Sequence, residues 1–225
     1  MPAVITKPYK IIQRPLPGTL ARFKFNEGSG ALTREEVSGV DYNRANTAIW
    51  GSDGTGTYYR PEFGGGASVP MTGVLDASTS NVTATAWVNN TWGSDVEGGW
   101  YFPWGIRGGA LLLYRDGQSS DGGIYEDGGV GRKKMSGFLP NGLAHYTWVL
   151  EGSTLRFYVN GSLNITHTIS NNTLTTANTI SSDPTIIGQV GYATSAGVRC
   201  YDMAAYDYAM NDTQVSDLYN LGVNY

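Results

Sequence analysis

The chain has one cysteine, Cys200, so it can form no internal disulfide, and its stability must come from packing. It has two histidines, His145 and His167, too few beside a lone cysteine to furnish a zinc set. Charged residues make up only 15 %, which excludes the Glu- and Lys-rich composition of a helical bundle. No apolar run approaches the roughly 18–20 residues needed to cross a bilayer as a helix, so no membrane insertion is expected. Residues 1–10 lack the apolar stretch of a secretory signal, and cytoplasmic synthesis without a signal peptide is expected. The Asn-x-Ser/Thr sequons at Asn81, Asn89, Asn160, Asn164, Asn171 and Asn211 are read accordingly as a by-product of an Asn- and Thr-rich sheet protein. Neither a Gly-x-Ser-x-Gly nucleophile elbow nor a phosphate loop ending in Gly-Lys-Ser/Thr occurs.

What the chain does have is 31 glycines, 15 tyrosines and much Thr, Ser and Asn, the residues of pleated sheet and tight turns. Its 225 residues suit one large β domain. The net charge of −4 is unevenly placed. Lys7, Lys10, Arg14, Arg22 and Lys24 give the first 24 residues +5, which leaves −9 on the remaining 201. Phosphate backbones attract cations, so an acidic body predicts no nucleic-acid partner.

Residues 1–19 differ from the rest. Pro2, Pro8, Pro15 and Pro17 forbid helix and remove ladder donors, so the segment should be extended, reaching about 50 Å at about 3.1 Å per residue. It reads either as a frayed terminus or as a basic docking arm on an acidic neighbour. The apolar Val4, Ile5, Tyr9, Ile11, Ile12 and Leu16 favour the arm, with Lys7, Tyr9, Lys10, Ile11, Ile12 and Arg14 as its contact candidates.

From residue 20 a two-residue rhythm recurs. Ala21, Phe23 and Phe25 alternate with Arg22 and Lys24, and Val82, Ala84, Ala86 and Val88 with Thr83, Thr85 and Trp87. Residues 110–114 form a short apolar run. Residues 145–150, 154–159 and 163–169 predict a three-strand meander, its second hairpin closed by Asn160-Gly161, which suits a turn with two positive φ angles. Residues 185–187 and 198–206 are further strand candidates. One helix is predicted, capped by Asn211 with Gln214 three residues on, carrying Val215, Leu218 and Tyr219, and closed by Gly222. The expected fold class is all-β, an antiparallel two-sheet jelly-roll sandwich with one short C-terminal helix. Residues 20–225 are taken as one domain.

The order of these motifs resembles the laminin-G-like (concanavalin A-like lectin/glucanase) jelly-roll superfamily. The resemblance rests on Ala21–Gly30, a strand running into an acidic-Gly-Ser-Gly turn, on Ala84-Thr-Ala-Trp-Val88, on His145–Gly161, and on the closing strand and capped helix of Tyr206–Tyr219. Leu143, Asn160 and Gln214 depart from the usual Trp, Asp and Glu, while Asn160 and Gln214 keep turn and cap chemistry. The resemblance implies a fold shared by lectins, enzymes and adhesion modules, so function must come from sites.

Glucanases of this fold place carboxylates on one strand as Glu-x-Asp-x-x-Glu, and the sequence has no such pattern. Asp95 and Glu97 lie among glycines, and Glu126-Asp127 would point apart on a strand. Catalytic residues are therefore expected to be none, and the chain no enzyme. Cys200 and His145 read as core residues. Residues 128–134, Gly-rich and ending in Arg132-Lys133-Lys134, read as a surface loop. No cofactor and no metal ligand set is expected. Calcium, which some relatives bind, finds only Asp116 and Asp121 in a turn.

The densest aromatic segment is 92–107. Trp92, Trp100, Tyr101, Trp104 and Arg107 are the candidates for glycan binding or an interface, with packing of Trp100 and Trp104 in the sandwich core as the favoured reading. The functional expectation is a surface-displayed adhesion protein, a bacteriophage capsid-decoration or tail component at the virion surface. Residues 1–19 would dock it on virion structural proteins, with cell-surface glycans as further partners and a homo-oligomeric state. The alternatives are a free-standing lectin module and a polysaccharide hydrolase or lyase.

Overall fold

The structure is a computed structural model that describes residues 16–43, 49–60, 67–69, 81–90, 100–106, 109–114, 121–126, 133–138, 140, 142–168, 185–191 and 198–223, with the second sheet described by its backbone. The docking-arm candidates Lys7, Tyr9, Lys10, Ile11, Ile12 and Arg14, and with them Trp92 and Arg107, lie outside the described residues.

The strands, in chain order, are β1 (Thr19–Phe23), β2 (Leu32–Arg34), β3 (Asp41–Asn43), β4 (Ile49–Asp53), β5 (Gly56–Arg60), β6 (Ala67–Val69), β7 (Asn81–Asn90) and β8 (Trp100–Ile106). They continue as β9 (Gly109–Tyr114), β10 (Asp121–Glu126), β11 (Lys133–Phe138), β12 (Gly142–Glu151), β13 (Thr154–Val159), β14 (Ser162–Thr168), β15 (Thr185–Gly191) and β16 (Val198–Tyr206). Helix α1 (Asp212–Leu221) follows. All pairings are antiparallel. The first sheet runs β14-β13-β12-β7-β16-β5-β4, with β1 beside β16, and the second runs β11-β10-β9-β8-β15-β6. Strands β2 and β3 form a separate hairpin. The fold is the expected all-β two-sheet sandwich with one short C-terminal helix.

Alternation explains why the centre of the first sheet is buried on both faces. Inward, Val82, Ala84, Ala86 and Val88 of β7 join Ala144, Tyr146, Trp148 and Leu150 of β12, Leu155 and Phe157 of β13, and Cys200 and Met203 of β16 in one core. Phe23, Phe25 and Tyr59 extend that core as an aromatic row, with Phe25 stacked on Tyr59 at 5.1 Å between ring centroids. Outward, Val149, Tyr158, Ala204 and Tyr206 meet Val215 and Leu218 of α1. The helix is therefore the cover over the outer face of the sheet's centre, while the edge strand β14 stays largely exposed. Its cap is the one anticipated, since Asn211 Oδ1 accepts from Gln214 N–H while Gln214 Oε1 accepts from Asn211 N–H, each at 2.9 Å. Arg156 and Tyr158 tie its start to the sheet. Tyr158 Oη donates to Asp212 at 2.6 Å, and Arg156 donates to Met210 O at 3.0 Å.

One segment differs from expectation. Lys133 and Lys134 open β11 and pair with Ile124 and Gly123 of β10, so part of the basic segment is strand rather than loop. Arg22, on the polar alternation of β1, is sealed from solvent. The outer edge of β1 is covered by the turn after β2. Glu36 N–H donates to Arg22 O at 2.9 Å, and Glu35 Oε1 accepts from Arg22 N–H at 2.8 Å. A covered edge offers no ladder to another chain.

Candidate functional site

The sequence from Asn26 to Gly30 cannot continue β1. Phe25 takes φ +49° and Gly28 and Gly30 take φ +70° and +89°, so the backbone folds away from the sheet. The turn is then held by two clamps. Glu27 Oε1 accepts from Arg34 N–H at 2.6 Å and from Thr33 Oγ1–H at 3.1 Å, which ties it to β2. Trp50 Nε1–H donates to Gly30 O at 3.0 Å, which ties it to β4. Between this turn and the β2–β3 hairpin lies an open cleft of about 360 Å³, lined by Glu27, Ser29, Gly30, Ala31, Leu32, Arg34 and Asp41.

The lining combines a small apolar surface, including the exposed Leu32, with paired charge. Arg34 Nη1 donates to Asp41 Oδ1 at 3.1 Å, and both side chains are about half exposed. Glu27 adds a second carboxylate. Its Oε2 is shielded from solvent and meets no donor among the described residues, whereas Oε1 has two. A shielded carboxylate oxygen without a donor is costly, and its lack of exposed surface keeps it from the open side of the cleft. Among the described residues no group of three or more His, Cys, Asp and Glu is arranged for a metal ion.

A second polar cluster stands where β4, β5 and β16 meet. Asp53 Oδ2 accepts from Arg199 Nη1–H at 2.6 Å and from Tyr201 Oη–H at 2.7 Å, while Oδ1 accepts from Thr55 N–H at 2.9 Å. The Arg199 guanidinium lies 5.0 Å from the centroid of the Tyr58 ring. Burial pushes the Asp53 carboxyl up, but the bonds from Tyr201, Thr55 and Arg199 outweigh it and hold the group below its ordinary value. Burial, then the bond to Asp53, pushes the Tyr201 phenol up to about 12. Asp53 is thus satisfied on both oxygens, and the cluster is a brace rather than an open site.

The structure places the sequence candidates unevenly. Trp100, Tyr101 and Trp104 lie on β8, inside the second sheet, where Trp100 pairs with Tyr114 and Gly191, Tyr101 with Leu113 and Val190, and Trp104 with Leu111 and Ile187. Trp100, read from its glycine neighbours as loop-like, opens that strand. Asp121 and Glu126 are the ends of β10. Cys200 and His145 are buried, as expected. The cleft itself lay outside the candidate set, although its Glu-Gly-Ser-Gly turn had been marked as a strand terminator.

No protein-family model matches the sequence, and no curated protein sequence matches it. Solved structures do resemble the fold. The binding domain of Paraclostridial Mosquitocidal Protein 1 aligns with a TM-score of 0.65 at 13 % identity, over 91 % of this chain and 52 % of that chain. Trypanosoma rangeli sialidase in complex with sialic acid aligns with a TM-score of 0.63 at 16 % identity, over 91 % of this chain and 33 % of that chain. The same sialidase with 2,3-difluorosialic acid, a covalent intermediate, gives 0.59 at 16 % identity with the same coverage. The chain thus spans about a third of the sialidases and about half of the toxin-domain chain. At these identities the likeness shows the fold alone, an all-β sandwich. It also corrects one expectation. The missing Glu-x-Asp-x-x-Glu pattern had been read as meaning no enzyme, yet this architecture occurs in sialidases, one of them solved as a covalent intermediate, so the missing pattern excludes no activity.

Proposed function

We propose that this chain is a glycan-recognising β-sandwich of the laminin-G-like kind, and that the cleft between the Glu27–Ala31 turn and the β2–β3 hairpin receives the sugar. The observation that carries the reading is the lining of that cleft. Ser29, Arg34 and Asp41 offer donors and acceptors around an exposed Leu32, the mixture of polar groups and C–H surface that a pyranose presents in complement. The fold likeness to a sialidase solved with sialic acid supports the class of ligand. The sialidase likeness also favours a second reading, a glycan-processing enzyme, for which Glu27 and Asp41 are the carboxylates at hand.

The setting we propose is adhesion at a virion surface, where many weak sites act together by avidity. Residues 1–19 are the proposed attachment to capsid or tail proteins. Leu16 packs beside the outer core and its carbonyl accepts from Thr19 N–H at 3.1 Å, so a cut after Pro15 spares the body. That truncated chain should fold and fail to join its assembly.

The site is tested by presenting the full chain to a glycan array and then filling the cleft with Ser29→Trp, at an exposed turn position. Loss of array binding with an unchanged melting temperature is expected. A blank array for the natural chain overturns the reading. Release of reducing sugar from a bound glycan, abolished by Glu27→Gln, would decide for the second reading.

A further inference from the structure

We infer that Asn160 is a self-modification site, an asparagine that closes on the Gly161 nitrogen when its turn opens and is held from doing so while the turn is formed. The Asn160-Gly161 pair joins β13 to β14, and both residues are partly exposed, so water reaches them. In the reaction the Gly161 nitrogen attacks Asn160 Cγ, and glycine offers no Cβ to hinder it. The new N–C bond replaces the Cγ–Nδ2 bond, and Nδ2 leaves as ammonia with the proton given up by the Gly161 N–H. Water then opens the cyclic imide at either carbonyl, giving aspartate or isoaspartate. Water is consumed, ammonia is released and nothing is oxidised or reduced.

The fold keeps attacker and target apart. The β12–β13 ladder, which pairs Tyr146 with Val159, gains one further rung at Asn160. Asn160 N–H donates to His145 O at 2.8 Å, and Asn160 Oδ1, a side-chain carbonyl, accepts from His145 N–H at 2.9 Å. The carboxamide is thereby drawn to the β12 side of β13. The chain leaves on the other side, because Gly161 leads into Ser162, which pairs with Val159 in β14. Imide closure therefore requires the rung to break. The helix is a second restraint. Gly161, at φ +75°, lies so close to α1 that a Cβ there would stand 3.1 Å from Tyr219 Cβ and 3.2 Å from Ser216 Cα, so the turn shifts only if α1 lifts. Isoaspartate suits neither restraint. It lengthens the turn by routing the main chain through Cβ and Cγ, and it draws into the backbone the carbonyl that His145 uses. A chain that has opened and reacted therefore carries a lasting record of the opening in the seat of α1.

The sequence supplies an internal reference, because Asn141-Gly142 is its other Asn-Gly pair. The full chain is kept at mildly alkaline pH with and without unfolding urea, and peptide mapping by mass spectrometry follows amide loss at both asparagines. In urea the two should react at comparable rates, and folding should slow Asn160 by at least about tenfold. Tyr219→Ala removes the stack on Trp87 that seats this end of α1. It should speed the reaction of Asn160 in the folded chain and leave its rate in urea unmoved. The isoaspartate fraction, separated by reversed-phase chromatography and refolded, should melt below Asn160→Asp, whose carboxylate can still accept from His145. Equal rates at Asn160 with and without urea would overturn the restraint, and no amide loss there in urea would overturn the site itself. A folded-state rate that Tyr219→Ala leaves unchanged would overturn the part given to α1. An isoaspartate fraction as stable as Asn160→Asp would overturn the lasting effect on the helix seat.

Discussion

Arg22 and Asp202 stand 180 positions apart in sequence and 2.7 Å apart in the fold, measured from Nη2 to Oδ2, with a second contact of 3.3 Å from Nε to Oδ1. The arginine is fully out of solvent and the aspartate nearly so. The partners are neighbours because β1 pairs with β16, and a register shift between Cys200 and Asp202 carries the carboxylate to the guanidinium. Burial pushes the Asp202 carboxyl up, and Arg22 pulls against it.

Removing one partner leaves the other charge buried alone. Asp202→Ala should therefore cost about 3–5 kcal/mol in urea unfolding. Replacing both, as Arg22→Met with Asp202→Leu, should cost less than either single change, because no orphan charge remains. A double variant as unstable as the sum of the singles would mean zero coupling, so that the two charges do not act on each other.

His145 makes stability fall with acid. Its ring is buried, 5.0 Å from the Trp87 ring, and burial depresses its pKa from 6.5 to about 3. The folded protein thus holds the ring neutral where the unfolded chain would protonate it. The full contribution is present above pH 6.5 and is lost as pH falls from there towards 3, by roughly 5 kcal/mol in total. His145→Gln should remove this part of the dependence, so the two stability curves, measured by urea titration at several pH values, should converge on acidification. Curves that stay parallel would show that the imidazole does not titrate in this range.

Gly161 lets helix and sheet touch. It takes φ +75°, and a Cβ there would lie 3.1 Å from Tyr219 Cβ and 3.2 Å from the Ser216 backbone. Gly161→Ala should cost about 1–3 kcal/mol by urea unfolding and weaken the Trp87–Tyr219 stack, now 5.7 Å between centroids. Trp87 emission, isolated by difference against a Trp87→Phe background because the chain has six tryptophans, reports the second effect. A fluorescence spectrum unchanged in Gly161→Ala would separate the turn strain from the helix contact.

The parts legible in sequence were those specified within a few residues. The Asn160-Gly161 hairpin shows its two positive φ angles, 50° and 75°, and the Asn211–Gln214 capping box forms as written. Strands β13 and β16 match their predicted bounds because turn residues flank an alternating run. Strands β4, β5 and β10 carry too few alternating apolar residues to announce themselves. The burial of Arg22 was not legible because its ion pair depends on a partner in the closing strand. The cleft was hidden for the same reason, since Glu27, Arg34 and Asp41 converge only when the β2–β3 hairpin folds back on the turn. The aromatic segment drew attention by density alone, yet density does not distinguish a strand from a platform, and Trp100 proved to open β8.

The Tyr58 ring lies across Gly51, its cross-strand partner, where a Cβ would come within 2.4 Å of the ring carbon Cζ. On this glycine the ring is placed to carry Arg199, which in turn holds Asp53 together with Tyr201. Gly51→Ala should lift the ring, disturb the Arg199 stack and cost about 1–3 kcal/mol. The cause can be isolated, because the clash needs the ring. In a Tyr58→Ala background the same glycine change should cost almost nothing, a strongly non-additive cycle of the kind expected for touching residues. Stability measured by urea unfolding of the four proteins decides it. Equal costs in both backgrounds would mean that Gly51 is required by its own backbone and not by Tyr58, and the brace would then have to be explained from Asp53 outward.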